Sequence, residues 1–393
     1  MKKIVVLGAG YAGMRVVKKL VQGHADAQIV LVNKNPYHYE ATQLHQVAAG
    51  TKEAADITFD IRPLLAGRKN VEVVIDEVTR VDQDAKKVEL KNGEPISYDY
   101  LVNALGFESE TFGIKGAEEN GWPLVDIDTA LAARKHLEDT LRRYKTSQDP
   151  NDLRVVVCGA GFTSIEYLGE LVYRMPKMAK EYGFPLDKVK IDCIEASPKI
   201  LPMFEPNLAD WGVKYLESKG VNFHVATPIT EVKPNAVVSN DVEFPANTII
   251  WTTGVRGSHV IADSDYDQKR NRVVVEDDLR ITGHPDQFLI GDVSAVPNPS
   301  NGRLYPTTAQ ISIALADTAA ANLIALLKGG QTSKFVFKPM GTVCSLGPHA
   351  GIASIDMMGH WKLKGSKVSI VKKIVNDRSV LELANIRTML ESN

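Results

Sequence analysis

The chain has 393 residues, more than the roughly 250 that one hydrophobic core accommodates, so two or three domains are expected. Its 46 basic and 48 acidic side chains leave a formal net charge of -2, which gives no general attraction for nucleic acid. The three cysteines, Cys158, Cys193 and Cys344, form no CxxC or CxxxxC spacing; a disulfide scaffold, an iron–sulfur centre and a dithiol redox site are disfavoured, and no metal site is expected.

Residues 3–7 are a short β-branched run that passes directly into Gly8, Ala9, Gly10, Tyr11, Ala12 and Gly13. Val16, Val17 and Leu20 then recur at helical spacing, which reads as strand, glycine turn, helix. Gly8 permits the tight turn, Gly10 lets backbone amides approach a pyrophosphate, and Gly13 lets the helix lie close to the strand. The opening MKKIVVL is too short for a signal peptide, since glycines follow Leu7. No uninterrupted apolar stretch reaches the roughly 18 to 20 residues that span a bilayer, so a water-soluble, cytoplasmic body is expected. A second strand, 29–32, ends at Asn33, where such folds usually carry an acid for the adenosine ribose; an amide oxygen still accepts a ribose hydroxyl.

The pattern repeats in mid-chain. Residues 153–157 form a buried-looking strand, followed by Gly159, Gly161 and, in third place, Ser164, with a helix expected over 165–173. The stretch 174–186, which contains Pro176, Gly183 and Pro185, reads as an insertion. The next strand, 189–194, ends in Glu195, whose carboxylate accepts from both ribose hydroxyls and repels a 2′-phosphate, so NADH is favoured over NADPH. Two further strands, 100–106 and 248–254, close on Gly106 and Gly254 and read as crossovers between the two units. Residues 286–292 read DQFLIGD, an apolar strand ending in Gly291 and Asp292.

These units together resemble the glutathione-reductase-like flavoproteins, which place FAD and NADH on two Rossmann-like domains. Residues 41–45 read ATQLH, without the redox cysteine of the thiol reductases. Longer strings narrow the resemblance: VLGAGYAG at 6–13, VNKNPYHYEATQLHQVAAGT at 32–51, GAGFTSIEYLGEL at 159–171, IGD at 290–292, PTTAQI at 306–311 and GTVCSLG at 341–347. They are similar to the bacterial type II NADH:quinone dehydrogenases as far as about Arg378.

The resemblance implies an α/β fold with FAD bound by residues 1–110 and 283–335, NADH by 111–282, and a membrane-associating C-terminal region, 336–393. It implies that Gly8, Ala9, Gly10, Tyr11 and Ala12 hold the FAD pyrophosphate, Asn33 and Lys34 the adenosine, Val78 the adenine side and Asp292 the ribityl chain. Ala309 and Gln310 would lie against the isoalloxazine, and Gln310 would donate to a quinone carbonyl as electrons arrive. Glu166 matches the functional glutamate of the family, and a pKa raised by burial would make it a proton donor. Lys372 matches a lysine at the quinone mouth, with Val375 beside it. His38, Tyr39 and His45 are left outside the catalytic set.

Residues 361–378 combine Lys362, Lys364, Lys367, Lys372, Lys373 and Arg378 with Trp361, Ile370 and Ile374, against one acid, Asp377. Such a segment suits an anionic leaflet, and the expected location is the cytoplasmic face of the membrane, beside a membrane quinone such as menaquinone. After Arg378 the resemblance fails: Leu381, Leu383, Ile386 and Leu390 alternate with Glu382 and Glu391, which points to contacts in a homodimer. The alternatives are a soluble NADH-dependent reductase of another acceptor such as ferredoxin, and an FAD/NAD module that senses redox state without turnover.

Overall fold

The protein is described by a computed structural model over residues 1–356, 359–385 and 388–389. Its first half is built on β1 (Lys2–Leu7), α1 (Tyr11–Gln22), β2 (Ala27–Asn33), α2 (Leu44–Ala49), β3 (Val71–Ile75) and β4 (Tyr100–Asn103). Ile4, Val5, Val6 and Leu7 are all fully buried, the mark of a parallel strand covered on both faces. The chain then forms a second sheet from β5 (Trp122–Pro123), β6 (Arg154–Cys158), β7 (Lys190–Ile194), β8 (Val221–His224) and β9 (Thr248–Trp251), all parallel, in the order β5-β9-β6-β7-β8. Helices α3 (Ile127–Ser147) and α4 (Phe162–Tyr182) belong to this half. Short β10 (Arg280–Ile281) and then β11 (His284–Leu289) complete the first sheet, in the order β10-β11-β4-β1-β2-β3, with only β10 antiparallel. Each sheet reverses its strand order beside its own glycine turn, the place where open α/β sheets bind ligands.

Two sequence expectations change here, and a long apolar helix stands beside them. The stretch read as an insertion is largely helix: α4 continues through Pro176 to Tyr182 and ends where Gly183 takes φ 76°. Met175, Met178 and Ala179 are buried along it, and that packing offsets the roughly 3 kcal/mol cost of an interior proline. The return to the first half also comes earlier than residue 283. Strand Phe107–Ser109 pairs antiparallel with Val255–Gly257, so the two crossovers meet, and Val260, Ile261, Val273 and Leu279 already pack into the first core. Finally, α5 (Ala309–Leu327) is long and apolar enough, by length and composition, to cross a membrane. It lies against α1, with Leu315, Ala316, Ala319 and Leu323 in the core and Asp317 accepting from Arg15 at 2.7 and 3.0 Å; an internal helix of this kind is apolar on most sides.

The C-terminal region forms an antiparallel sheet of β12 (Gly341–Ser345), β13 (Gly351–Ile355) and β14 (Trp361–Lys364), then α6 (Lys367–Leu383). This sheet meets α4 backbone to backbone. A Cβ on Gly169 would stand 2.2 Å from the carbonyl carbon of Leu346, and one on Gly347, at φ 99°, 2.6 Å from the Gly169 oxygen. The end of α6 is tied to α1: Arg15 donates to the Glu382 carbonyl at 3.0 Å, and Lys18 to those of Leu381 and Ala384 at 2.5 and 2.7 Å, cations set on terminal carbonyls. Leu383 is buried in the first core, so the apolar side of the tail is partly used within the chain; Ile386, Leu390 and Glu391 lie outside the described residues. The basic face is also thinner than the composition implies. Lys362 pairs with Glu205, Lys372 with Glu166 and Arg378 with Glu382, while Trp361, Ile370 and Ile374 are each at least 60% exposed.

Candidate active site

At the C-terminal ends of β1, β2, β4 and β11 lies a cleft with a cavity volume of about 230 Å³. Gly8, Ala9, Gly10, Tyr11, Ala12, Asn33, Lys34, Val78, Gly106 and Asp292, ten of the residues singled out from the sequence, all line it. Gly8 takes φ 90°, and a Cβ there would press to 2.4 Å from the Ala104 carbonyl oxygen, so the turn is held tight against the crossover strand. In front of Gly10 and Gly106 the space is open. Gly13 does not reach the cleft; its absent Cβ, 1.8 Å from the Gly8 oxygen, lets α1 close on β1. Asn33 accepts from the Ala9 amide at 2.9 Å and donates to the Asn35 carbonyl at 2.7 Å, fixing the turn while one lone pair of its oxygen is left for a ligand. Lys34 stands 3.4 Å from Asp126. Burial pushes the Asp292 carboxyl up to about 6 against the opposing pull of Arg272. Tyr39, Asp126, Ser258, His259 and Ser312 also face the cleft, without a signal of their own in the sequence.

The second unit repeats the device. Gly159 takes φ 94°, with a Cβ position 2.9 Å from the Thr252 carbonyl oxygen, and Glu195 accepts from the Ala160 amide at 2.7 Å, as Asn33 does from Ala9. The other Glu195 oxygen accepts from the Ser197 amide at 2.7 Å. Ser164, in the place of the third glycine, puts its hydroxyl 2.8 Å from that of Thr252. Gly161 begins α4 with open space before it, and the ring of Phe112 covers Gly254. None of Gly159, Gly161, Glu195 and Gly254 lines the first cleft, so the two turns serve separate places.

Glu166, in the second turn of α4, is buried and marks a third feature. Its Oε1 accepts from Lys372 of α6 at 2.7 Å and from the Ser345 amide of β12 at 2.9 Å, and its Oε2 stands 3.6 Å from Nδ1 of His45 on α2. Burial alone would raise this carboxyl; Lys372 above all, with the Ser345 amide, outweighs it and holds Glu166 below the ordinary carboxylate range. The expected raised pKa is therefore corrected: Glu166 is an anion by virtue of its lysine. Burial lowers His45 to about 4, so it stands neutral beside the pair. His45, left out of the set in the sequence reading, belongs to this cluster. A histidine in an apolar helix carries no mark that separates packing from function, and only the tertiary contact with α4 reveals it.

Gln310 and Ala309 open α5 behind the cap of Thr308, which accepts from the Ile311 amide at 3.3 Å. Gln310 Oε1 accepts from the Met340 amide at 3.4 Å, which leaves its NH₂ end to donate elsewhere. Neither residue lines the cleft; the residue of this first turn that does is Ser312, three positions on. Lys372 is held by Glu166, and Val375 lies half-exposed on α6.

Two glycine turns on two parallel sheets in one chain define a two-dinucleotide oxidoreductase fold. Residues 2–321 match the pyridine nucleotide-disulphide oxidoreductase family. A type II NADH:quinone oxidoreductase of Staphylococcus aureus is 43% identical over 393 residues, 98% of this chain and 96% of that relative. The enzyme of the same name from Staphylococcus saprophyticus matches at the same level, 43% over 98% and 96%. NDH2 from Plasmodium falciparum in complex with NADH shares the fold, with a TM-score of 0.87 and 20% identity over 100% of this chain and 97% of that one. The sulfide:quinone oxidoreductase of Aquifex aeolicus does so at 0.79 and 21%, over 98% and 92%. The chain belongs to the type II NADH:quinone oxidoreductases, within the pyridine nucleotide-disulphide oxidoreductases.

Proposed function

We propose that the chain oxidises NADH and reduces a membrane quinone, menaquinone first among candidates, with FAD as its resident cofactor and without pumping protons. The observation that carries this reading is the ion pair between Glu166, on the fingerprint helix of the second unit, and Lys372, on the last helix. It ties the NADH side to the C-terminal face, from which a lipid-borne acceptor would approach.

The cleft suits FAD in its chemistry. Open space before Gly10 and Gly106 admits a backbone-cradled phosphate and chain, and the Asp292 carboxylate offers an acceptor to ribityl hydroxyls. Gly8 through Ala12 would hold the pyrophosphate, Asn33 and Lys34 the adenosine, with Val78 as the adenine wall; Ala309 and Gln310 would flank the ring. Gly159, Gly161, Glu195 and Gly254 would hold NADH. Residues 1–110 and the stretch after the return crossover form the FAD domain, with the NADH domain between. Bound FAD supplies the redox chemistry, taking a hydride from nicotinamide and passing two electrons to the quinone. Gln310 would donate its amide to a quinone carbonyl, and the Glu166–Lys372 pair, with His45 neutral beside it, would order that end of the site. Trp361, Ile370 and Ile374 give the last helix and strand an outward apolar face for the cytoplasmic leaflet, where apolar contact counts for more than charge because Lys362, Lys372 and Arg378 are engaged within the chain.

Stopped-flow absorbance of the purified, FAD-containing protein tests the reading. NADH should bleach the flavin band and a menaquinone analogue restore it. Restoration by ferredoxin but not by menaquinone would favour the soluble reductase, and a band that NADH leaves unchanged would favour a sensing module.

A further inference from the structure

The buried face of α4 carries a second acid that the reaction outlined above does not use. Glu170 follows Glu166 by one helical turn and is fully buried. The two carboxyls face α2 like two rungs: His45 stands against Glu166, and Gln46, the next residue, against Glu170. Their partners differ in kind. Glu166 has the Lys372 ammonium and a backbone amide, whereas Glu170 has Gln46 Nε2, which donates to its Oε1 at 3.4 Å.

The remaining atoms of that second rung are out of balance. Gln46 Oε1 and Glu170 Oε2 are both buried, and neither has a hydrogen-bond partner. Both are acceptors when Glu170 is ionised, so an anionic Glu170 leaves two unmet oxygens on one pair of residues. One proton on Oε2 removes both deficits: the acid O–H donates to the amide oxygen while the amide N–H donates to the acid carbonyl. The charged and titratable groups around Glu170 divide. Burial, the largest influence, and Glu166 on its own helix oppose ionisation; Lys52, beyond α2, favours it together with the neutral donors Thr51 and Gln46, and the balance raises the carboxyl above its ordinary value. Lys372 of α6 also senses Glu170 but is committed to Glu166 at 2.7 Å, and Lys52 donates to Gln43 at 2.9 Å.

We propose that Glu170 is carried as a neutral carboxylic acid in a reciprocal pair with Gln46, and that it is the proton store of the quinone half-reaction. This rests on the quinone reading above. NADH brings two electrons and one hydrogen, so the second hydrogen of a quinol must arrive as a proton. Breaking the Glu170 O–H supplies it, no electron moves at Glu170, and solvent returns the proton afterwards. His45, adjacent in sequence to Gln46, has a buried Nε2 without a hydrogen-bond partner and its Nδ1 3.6 Å from Glu166 Oε2.

Infrared spectroscopy of the oxidised, FAD-containing protein tests the protonation without any turnover. Wild type should show a protonated-carboxyl C=O band that shifts in D₂O and is missing from Glu170→Gln. Gln46→Met, which removes the partner but keeps the acid, should move the same band to higher frequency. In stopped-flow, reoxidation of NADH-reduced flavin by a menaquinone analogue should slow about tenfold or more in Glu170→Gln. The fall of the wild-type rate with rising pH should flatten in the variant. A spectrum unchanged by either substitution would overturn the proposal, because Glu170 would then be ionised. A lost band with unaltered reoxidation would overturn the proton-store role. Wild-type flavin that menaquinone leaves reduced, with the band present, would remove that role together with the quinone reading while leaving the protonated acid assigned.

Discussion

Taking away one member of the Glu166–Lys372 pair should cost far more than taking away both. At 2.7 Å and an effective dielectric of about 20, the gross attraction is roughly 6 kcal/mol, against which each charge has already lost hydration. Lys372→Met leaves a buried carboxylate with one backbone amide and a neutral imidazole; Glu166→Gln leaves a buried ammonium. Each single change should destabilise by about 3 to 5 kcal/mol, and the double variant by less than either, a coupling of at least about 3 kcal/mol. Urea unfolding of the FAD-saturated protein at neutral pH measures this through the midpoint at constant slope. Single losses that simply add, within about 0.5 kcal/mol, would refute a coupled pair. The pH dependence carries its own sign. Glu166 is held below its ordinary value of 4.5, so its contribution is present above that value and is lost as pH falls through the lower folded value. In Lys372→Met the burial influence is left in command, the carboxyl rises, and the variant should instead lose stability as pH increases above 4.5.

Asp292 and Glu195 give two further tests. Hydroxyl donors prefer a carboxylate, so FAD retention should weaken as pH falls through about 6, and Asp292→Asn should show no such step when free and bound flavin are separated by filtration. Glu195→Ala should weaken NADH about tenfold to a hundredfold, the equivalent of roughly 1.5 to 3 kcal/mol of charge-assisted bonding, and should narrow the gap to NADPH; KM values for both nucleotides measure it.

The glycine turns, the strands around them and Asp292 were legible in the sequence because local geometry dictates them: Gly8 and Gly159 need positive φ, and Gly13 is excluded from bearing a side chain by one carbonyl. What could not be read was set by distant contacts. The sign of the Glu166 shift depends on Lys372, 206 positions away. Pro176 reads as a breaker, yet the helix continues through it because its neighbours are buried. The apolar α5 looks different once α1 covers it, and Lys362 and Lys372 are drawn to acids far away in the chain. His45 and Glu170 each have a meaning only as one side of the α2–α4 contact.

The last helix is fastened at both ends, to α4 through Lys372 and to α1 through the Arg15 and Lys18 ties, and so it buckles the two nucleotide-binding halves together. A jaw-like opening between them would separate Lys372 from Glu166. The orientation of α6 is thus coupled to both halves at once.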